Sequence, residues 1–314
     1  MCPRFWTATS TGWSIRCGRP SGTGNWRALP TTAPPDTLAE LRRTVISRLR
    51  LAGVDTPVLD ANVLFGHVLG IAPEQVALRA NAQLGPEDLR AIEAVTQRRE
   101  RREPVAYITG RKAFRRLEIA VNRDVLIPRP ESELLVEVGL ELWDASPGAA
   151  LVEIGTGSGA MALALADERP DRCVVATDCS YRALQVAGSN ARRLQLADRA
   201  EFRLGDGSAD VSLEGAAVLA NLPYIPTAVL DTLEPEVSRW EPRLALDGGP
   251  DGLAVIRRVV AQVGRGRARA AAFEIGVGQS EAVAALLRAA GFVRTAVFRD
   301  LAGHPRVVSG TRVS

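Results

Sequence analysis

The chain has 314 residues, a formal net charge of +3 and 46% hydrophobic residues. This length predicts a substantial core and two domains, and the near-neutral charge gives no global field that would attract nucleic acid. The four cysteines and two histidines show no metal-ligand spacing, so we expect reduced thiols and no metal. No apolar run reaches the length of a membrane span and no secretory signal is evident, which predicts a soluble, cytoplasmic protein with no membrane partner.

Residues 1–36 are predicted to be a disordered tail. The first 35 contain no acidic residue, and their glycine, serine, threonine and proline follow no period. Because the segment carries arginines and no acid, an organellar transit peptide is one alternative to a dispensable tail or an over-extended start.

Four predicted helices form a small bundle over residues 37–104. The first begins at a capping box, Thr37 to Glu40, and stops at Gly53. The second begins at Pro57, because the fixed φ of proline suits the first helical position. The other two cover residues 73–80 and 86–102.

Charge is dense at the end of this bundle, over residues 98–103, and again at Arg111, Lys112, Arg115 and Arg116. One interpretation is a solvated helix face. The other is a patch that meets an acidic partner or RNA.

Residues 105–127 are predicted to form a β-hairpin linker. Two short β-prone runs, 105–108 and 117–121, lie on either side of Gly110. The hairpin would join the two domains.

Residues 128–314 are predicted to form an α/β domain with a Rossmann-like fold. A helix begins near Pro130, with acidic residues in its first turn. From Leu151 onward strands alternate with helices, which predicts a parallel sheet covered on both faces. After the strand at Leu151, the predicted strands cover 173–178, 201–206, 217–220, 270–275, 293–299 and 306–310, and the predicted helices include 161–166, 182–194 and 280–290.

A glycine-rich loop, Glu153 to Gly159, follows the buried strand at Leu151. Gly155, Gly157 and Gly159 let the backbone approach a ligand closely, and their spacing also fits the dinucleotide fingerprint. Glu153 would place a carboxylate near a pyrophosphate, which disfavours an anionic cofactor. S-adenosylmethionine carries a sulfonium and an ammonium, so the loop favours this cofactor over a dinucleotide or tight packing alone.

Two aspartates end predicted strands, where ligands of open parallel sheets bind. Asp178 ends the second strand and can accept both ribose hydroxyls, although it could instead cap the next helix. Asp206 ends the third strand and could accept from the adenine amine, although its glycine neighbours also suit an ordinary turn.

Asn221-Leu-Pro-Tyr224 directly follows the apolar fourth strand. An asparagine oxygen and an adjacent backbone carbonyl can accept both hydrogens of a planar NH₂ group, and an aromatic ring can stack on that group or lie against a sulfonium. Methylation of an amide or exocyclic amine requires this arrangement, because such nitrogens are weak nucleophiles. The alternative is a turn that closes the strand.

In combination, these motifs resemble those of the release-factor glutamine methyltransferases. The resemblance runs from about residue 37 to the C-terminus and includes the helical N-terminal region. Besides the glycine loop and the Asn221–Tyr224 motif, the matching segments are Pro104–Gly110, Phe114, Leu126–Glu133, Glu241–Pro242, Asp247–Gly249, Asp251–Leu253, Phe273–Gly276, Gln279 and Arg299–Gly303.

The resemblance implies methylation, by S-adenosylmethionine, of the side-chain amide of the glutamine in the Gly-Gly-Gln loop of class I peptide-chain release factors. It also implies a seven-stranded class I methyltransferase domain behind a helical domain that helps to hold the protein substrate. We further expect a monomer with no direct nucleic-acid substrate.

The matching motifs also assign roles. Asn221 and the carbonyl of Leu222 would bind the glutamine amide, Tyr224 and Phe114 would form its slot, and Arg129 would brace the entrance. The expected catalytic residues are Asn221, Leu222, Pro223 and Tyr224. The expected cofactor-binding residues are Glu153, Gly155, Thr156, Gly157, Gly159, Asp178, Asp206 and Asn221.

One position departs from the family, which usually has two prolines after the asparagine where this chain has Leu222 and Pro223. The backbone carbonyl survives, and Pro223 still confines Leu222 to extended conformations. Two alternative functions share the motif: methylation of an adenine or guanine base, which would need base flipping and a basic groove, and cofactor binding without turnover.

Overall fold

The computed structural model describes residues 37–146, 148–208 and 211–312. The predicted tail, residues 1–36, lies outside this range. Within the described ranges, no helix is long and apolar enough to cross a membrane, and no group of three or more histidine, cysteine, aspartate or glutamate residues could hold a metal ion.

The N-terminal region is a bundle of helices around its own apolar core. Its helices are α1 (Leu38–Leu51), α2 (Pro57–Leu69), α3 (Gln75–Leu78), α4 (Pro86–Glu100) and α5 (Val105–Thr109). The Thr37 hydroxyl accepts from the Glu40 N–H, as the capping motif predicts. The largest side chains of the core are Leu38, Leu49, Phe65 and Ile92.

The third helix is shorter than the predicted 73–80. The carbonyls of Ala80 and Ala82 accept from the N–H groups of Ala39 and Leu38, which are the free donors at the start of α1. The chain after α3 therefore caps α1 instead of continuing its own helix.

The hairpin prediction is right about the element and wrong about its first strand. Residues 105–109 are helical: the N–H groups of Tyr107 and Ile108 both donate to the Pro104 carbonyl, and Gly110 ends the helix at a φ of +75°. The hairpin pairs β1 (Arg111–Phe114) with β2 (Leu117–Ala120).

A seven-stranded sheet organises the rest of the chain. Its strands are β3 (Leu151–Ile154), β4 (Val174–Asp178), β5 (Ala200–Leu204), β6 (Ala217–Ala220), β7 (Ala270–Glu274), β8 (Arg294–Arg299) and β9 (Pro305–Thr311). They lie in the order β5-β4-β3-β6-β7-β9-β8, and only β9 runs antiparallel to its neighbours. The predicted parallel sheet is thus confirmed, with an antiparallel strand near one edge.

Helices cover both faces of this sheet. On one face lie α6 (Ser132–Asp144), α7 (Ala160–Glu168) and α8 (Tyr181–Arg193), and on the other lie α10 (Ala254–Arg265) and α11 (Ser280–Ala289). A short helix, α9 (Pro235–Ser238), lies in the long connection after β6. Strand order reverses between β3 and β6, so a crevice forms at their carboxyl ends.

The charged segment at the end of α4 joins the bundle to this long connection. Arg99 is almost fully buried and lies 2.7 Å from both Asp60 on α2 and Glu236 on α9. Arg102 lies 2.5 Å from the same glutamate, and Arg98 pairs with Glu103. Because carboxylates within the protein match the charges of Arg99 and Arg102, these two arginines belong neither to a solvated face nor to a free basic patch.

Candidate functional site

A small cavity of about 60 Å³ lies at the carboxyl ends of β3 and β6. This is far below the ~300–1,000 Å³ that encloses a drug-sized ligand. A cofactor would therefore extend from it over the open edge of the sheet. The cavity brings together residues from the hairpin, α6, the glycine loop and the segment after β6: Phe114, Leu126, Pro128, Arg129, Ser132, Glu153, Gly155, Thr156, Gly157, Ser158, Ala160, Met161 and Asn221.

The three loop glycines all have positive φ, but they have different surroundings. A Cβ at Gly157 would meet no atom within 4 Å, so a ligand can approach the backbone there. A Cβ at Gly155 would lie 3.2 Å from the side chain of Leu222, and one at Gly159 would lie 3.0 Å from Ala187 on α8. Gly159 thus serves the packing of α7 on α8 and does not line the cavity.

Glu153 provides the negative charge of the cavity. Its side chain is buried in β3, and one carboxylate oxygen accepts from the Thr156 hydroxyl at 2.8 Å. Burial raises its pKa to about 7, although the bonds from Thr156 and the Ala162 backbone oppose that shift. A cation bound here would favour the ionised form.

Asp178 holds the glycine loop to the end of β4. Its carboxylate accepts from the N–H of Gly157 and from the N–H of Ser180, both at 2.8 Å. Burial raises its pKa, against the effect of these backbone bonds. Ser180 is the residue that caps α8, by accepting from Ala183, so the capping alternative for Asp178 is wrong.

Asp206 lies apart from the cavity, on the exposed edge beyond β5. Its carboxylate is 2.6 Å from Arg258 of α10, and more than half of its side chain is exposed. An adenine amine would therefore have to compete with an existing ion pair for this acceptor.

Asn221 presents one side of its amide to the protein and the other to the cavity. Its Nδ2 donates to the Ser132 hydroxyl at 2.9 Å. In the described part of the chain, no donor reaches its Oδ1 or the neighbouring carbonyl oxygen of Leu222. Both oxygens therefore keep their capacity to accept a hydrogen bond, and their use by a planar NH₂ group stays a prediction of the motif.

Tyr224 lies beyond Asn221 and is held from two sides. Its hydroxyl donates to the Glu274 carboxylate at 3.4 Å, and its carbonyl accepts from Gln279 at 3.0 Å. Burial raises the pKa of the Tyr224 phenol, and the Glu274 charge adds to the shift. The ring does not line the small cavity, whereas the buried ring of Phe114 does.

Arg129 also lines the cavity, and its guanidinium is 2.7 Å from the buried carboxylate of Glu241. Burial raises the pKa of Glu241, and the charge of Arg129 opposes this shift. Glu241 is therefore a partner that fixes the direction of Arg129.

Leu222 has a second use in this chain. Its side chain is buried in the core beneath β3 and β6. One of its methyl carbons lies 3.2 Å from the position that a Cβ at Gly155 would occupy. Burying a leucine contributes ~1.5–3 kcal/mol, which anchors the segment where relatives would use the fixed φ of proline. Pro223 follows outside the strand.

The sequence motifs assign no role to two residues of the site, Ser132 and Glu274. Both residues nevertheless lie in segments that resemble the family, Leu126–Glu133 and Phe273–Gly276. Glu274 ends β7, the strand next to β6. The rule that picked out Asp178, an acid at the end of a parallel strand, would have found it. Ser132 had no comparable signal, because its partner Asn221 is 89 residues away.

The sheet order, the glycine loop after β3 and the Asn-Leu-Pro-Tyr segment after β6 define a class I methyltransferase. The fold is similar to that of the hMettl16 catalytic domain in complex with the MAT2A 3′UTR hairpin 6, with a TM-score of 0.54 and 15% identity, covering 80% of this chain and 93% of that one. Family models for the PrmC N-terminal domain and the methyltransferase small domain match residues 40–110 and 131–232.

Similar sequences identify the family. A release factor glutamine methyltransferase of Rhodospirillum rubrum is 43% identical, covering 84% of this chain and 82% of that protein. Those of Caulobacter vibrioides and Moorella thermoacetica are 40% and 41% identical, covering 88% and 86% of this chain and 96% of each relative. The chain belongs to the release factor glutamine methyltransferase family.

Proposed function

We propose that this protein transfers a methyl group from S-adenosylmethionine to the side-chain amide nitrogen of the glutamine in the Gly-Gly-Gln loop of class I peptide-chain release factors. One observation carries the proposal: Asn221 lines a cavity with a buried carboxylate, and within the described part of the chain neither its Oδ1 nor the Leu222 carbonyl accepts a hydrogen bond. The names of the relatives support the choice of substrate.

The residues present fit the proposed cofactor. The Glu153 carboxylate suits a ligand with two cationic groups, Gly157 leaves room for close backbone approach, and Asp178 retains lone pairs for ribose hydroxyls. The roles of Gly155, Thr156, Gly159, Asp206 and Asn221 in cofactor binding remain part of the proposal. When bound, the cofactor supplies an electrophilic methyl group.

The chain's own contribution is to orient a poor nucleophile. The amide lone pair is delocalised, so reaction requires the NH₂ plane to be held while its nitrogen faces the methyl group. Asn221 and the Leu222 carbonyl would each accept one hydrogen, and positioning of this kind can supply ~7–11 kcal/mol. As the nitrogen becomes more acidic in the transition state, both bonds strengthen, which stabilises that state selectively.

The slot around the amide would be formed by Phe114 and Tyr224, with Pro223 holding the segment extended between them. Arg129, which lines the cavity and is fixed by Glu241, would brace the entrance by meeting a carbonyl of the incoming loop. The proposal also includes that the enzyme is a monomer. Its place of action would be the cytoplasm, where release factors work.

Methylation of a nucleic-acid base has less support. Arg98, Arg99 and Arg102 at the end of α4 are paired with carboxylates, which weakens the case that this segment is a basic groove for a strand. The likeness to hMettl16, at 15% identity, concerns the fold alone.

The proposal is tested by incubating the purified protein with methyl-labelled S-adenosylmethionine and a purified class I release factor. We expect label on the Gly-Gly-Gln glutamine, located by peptide mass spectrometry, and none on a release factor in which that glutamine is replaced. Labelling of RNA or DNA instead, or cofactor binding with no transfer to the release factor, would contradict it.

A further inference from the structure

We propose that Ser132 and Glu274 form a hydrogen-bonded relay that fixes the orientation of the Asn221 side-chain amide, and that both are positioning residues for methyl transfer. The inference rests on the proposed function, because it concerns how the acceptor for the glutamine amide is held.

The relay consists of two consecutive contacts that reach from the cavity into the core. Asn221 Nδ2 donates to Ser132 Oγ at 2.9 Å, and Ser132 Oγ donates to Glu274 Oε2 at 2.6 Å. The other oxygen of Glu274 accepts from the Tyr224 hydroxyl at 3.4 Å. Ser132 and Glu274 are 3% and 2% exposed, so water does not compete for these bonds.

The fold brings the three groups together from distant parts of the chain. Ala220 and Phe273 are paired in the register of β6 and β7. The next residues, Asn221 and Glu274, therefore lie side by side at the carboxyl ends of these two strands. Ser132 begins α6, which packs across this edge. The carboxylate, hydroxyl and amide are thus held by rigid elements.

The direction of the relay follows from counting donors. An asparagine amide can occupy two orientations related by a half turn, one of which would aim its NH₂ group at the substrate. An ionised carboxylate only accepts, so the single hydrogen of Ser132 goes to Glu274. The Ser132 oxygen must then accept, and only the NH₂ side of Asn221 can satisfy it. Asn221 Oδ1 is therefore left facing the cavity.

Protonation of Glu274 would remove this constraint. A protonated carboxyl can donate to Ser132, which frees the serine hydrogen for Asn221 Oδ1 and allows the amide to turn over. Burial raises the pKa of Glu274 to about 7, and the charge of Glu131 adds to this shift. Ser132, Tyr224 and Arg306, which faces it from β9 and pairs with Asp300, act in the opposite direction.

The test compares the full-length protein with Glu274→Gln, Ser132→Ala and a control, Ser146→Ala, in which a buried serine just beyond the other end of α6 is replaced. The turnover rate, kcat, is measured with release factor from pH 6 to 8. Saturating S-adenosylmethionine keeps Glu153 ionised and so removes its effect on binding. Thermal unfolding and cofactor affinity are measured for every variant.

The relay predicts that kcat of the parent and of Ser146→Ala falls as the pH is lowered, because protonation of Glu274, whose pKa burial raises, releases the Asn221 amide. Glutamine at 274 can offer its NH₂ group to Ser132 at any pH, and alanine at 132 breaks the link. Both variants should therefore have a kcat lower by about tenfold, the effect of losing one net hydrogen bond. Their rates should no longer depend on pH in this range, while cofactor affinity stays near the parental value and both variants remain folded at the assay temperature.

Parental rates in Glu274→Gln and Ser132→Ala, or an unchanged dependence on pH, would overturn the relay and leave the proposed function intact. A loss of kcat matched by an equal loss of cofactor affinity or of folded protein would also overturn it, because the residues would then be merely structural. Absence of transfer by the parent and by Ser146→Ala would contradict the proposed function itself, and the relay with it.

Discussion

The carboxylate of Asp178 accepts one backbone hydrogen bond on each oxygen, from Gly157 and from Ser180. Each oxygen retains a lone pair that could accept a ribose hydroxyl, and hydrogen bonds to charged groups contribute ~1.5–3 kcal/mol. Asp178→Ala should therefore weaken S-adenosylmethionine binding by at least that amount, measured by titration calorimetry. Asp206→Ala should cost less, because its carboxylate already pairs with Arg258. Equal affinity of Asp178→Ala and the parent would exclude the ribose role.

The buried Glu153 predicts that cofactor binding depends on pH. Its pKa is raised to about 7 in the free protein, and a bound cation would lower it again. Below pH 7 binding must then release a proton, so affinity should fall as the pH falls from 7 to 6, and it should level off above pH 8. Calorimetry in buffers of different ionisation enthalpy measures the proton release. Glu153→Gln should bind more weakly and lose this proton release, and an identical release in the variant would show that Glu153 is not its source.

At the scale of elements, the buried strands were predicted within one or two residues, because short apolar runs such as Ala217–Ala220 end at clear turn signals. The errors arose where distant groups decide the structure. Residues 73–80 form only a short helix because the chain after it, through the Ala80 and Ala82 carbonyls, caps α1. Residues 105–109 form a helix whose Tyr107 hydroxyl donates to the Val125 carbonyl, 18 residues away. Neither contact leaves a local pattern in the sequence.

The same distinction applies to the site. Glu153, Gly157, Asp178 and Asn221 stand at strand ends or in a glycine loop, and their position follows from the alternation of elements alone. The pairing of Ser132 with Glu274 joins residues 142 positions apart. Only the packing of α6 across the sheet brings them together, so the donor order that orients Asn221 could not be deduced from the sequence.

The contact between α4 and α9 should make a large contribution to stability. Glu236 is 14% exposed and pairs with both Arg99 and Arg102. Glu236→Ala would therefore leave the largely buried charge of Arg102 without this carboxylate partner. Breaking a buried pair in this way costs ~3–5 kcal/mol. Urea unfolding should detect the loss, whereas Glu214→Ala, which removes an exposed pair with Arg267, should cost ~0–1 kcal/mol. Similar effects of the two substitutions would mean that the α4–α9 contact is not a stabilising clamp.

For the whole molecule, the buried carboxyls predict how stability varies with pH. Glu153 and Glu274 have pKa values raised to about 7 in the folded protein, above the value of 4.5 expected when they are unfolded. The unfolded state therefore ionises first, and the stability that these groups contribute at low pH is lost as the pH rises from about 4.5 to about 7. Other groups titrate in the same pH range, so the contribution of Glu153 and Glu274 must be measured as the difference in stability between the parent and a variant that lacks both carboxyls.

The double substitution Glu153→Gln and Glu274→Gln should remove this loss, so the variant should gain stability relative to the parent as the pH rises from 5 to 8. Denaturant unfolding without cofactor at several pH values measures the difference. A constant difference across this range would contradict the assignment of these two groups as carboxyls that are costly to ionise. The inferred cost is consistent with a site that meets a cationic ligand, which would offset it on binding.

The central claim is that Asn221 and the Leu222 carbonyl orient the glutamine amide for methyl transfer, and it is tested most directly by the turnover rate of Asn221→Ala with release factor. We predict a rate lower by roughly two to three orders of magnitude, comparable to removing one oxyanion donor elsewhere, with a much smaller loss of affinity for S-adenosylmethionine. Leu222→Pro, which keeps the carbonyl acceptor, should turn over at the parental rate or somewhat faster. An Asn221→Ala variant that binds the cofactor normally and methylates release factor at the parental rate would contradict the claim.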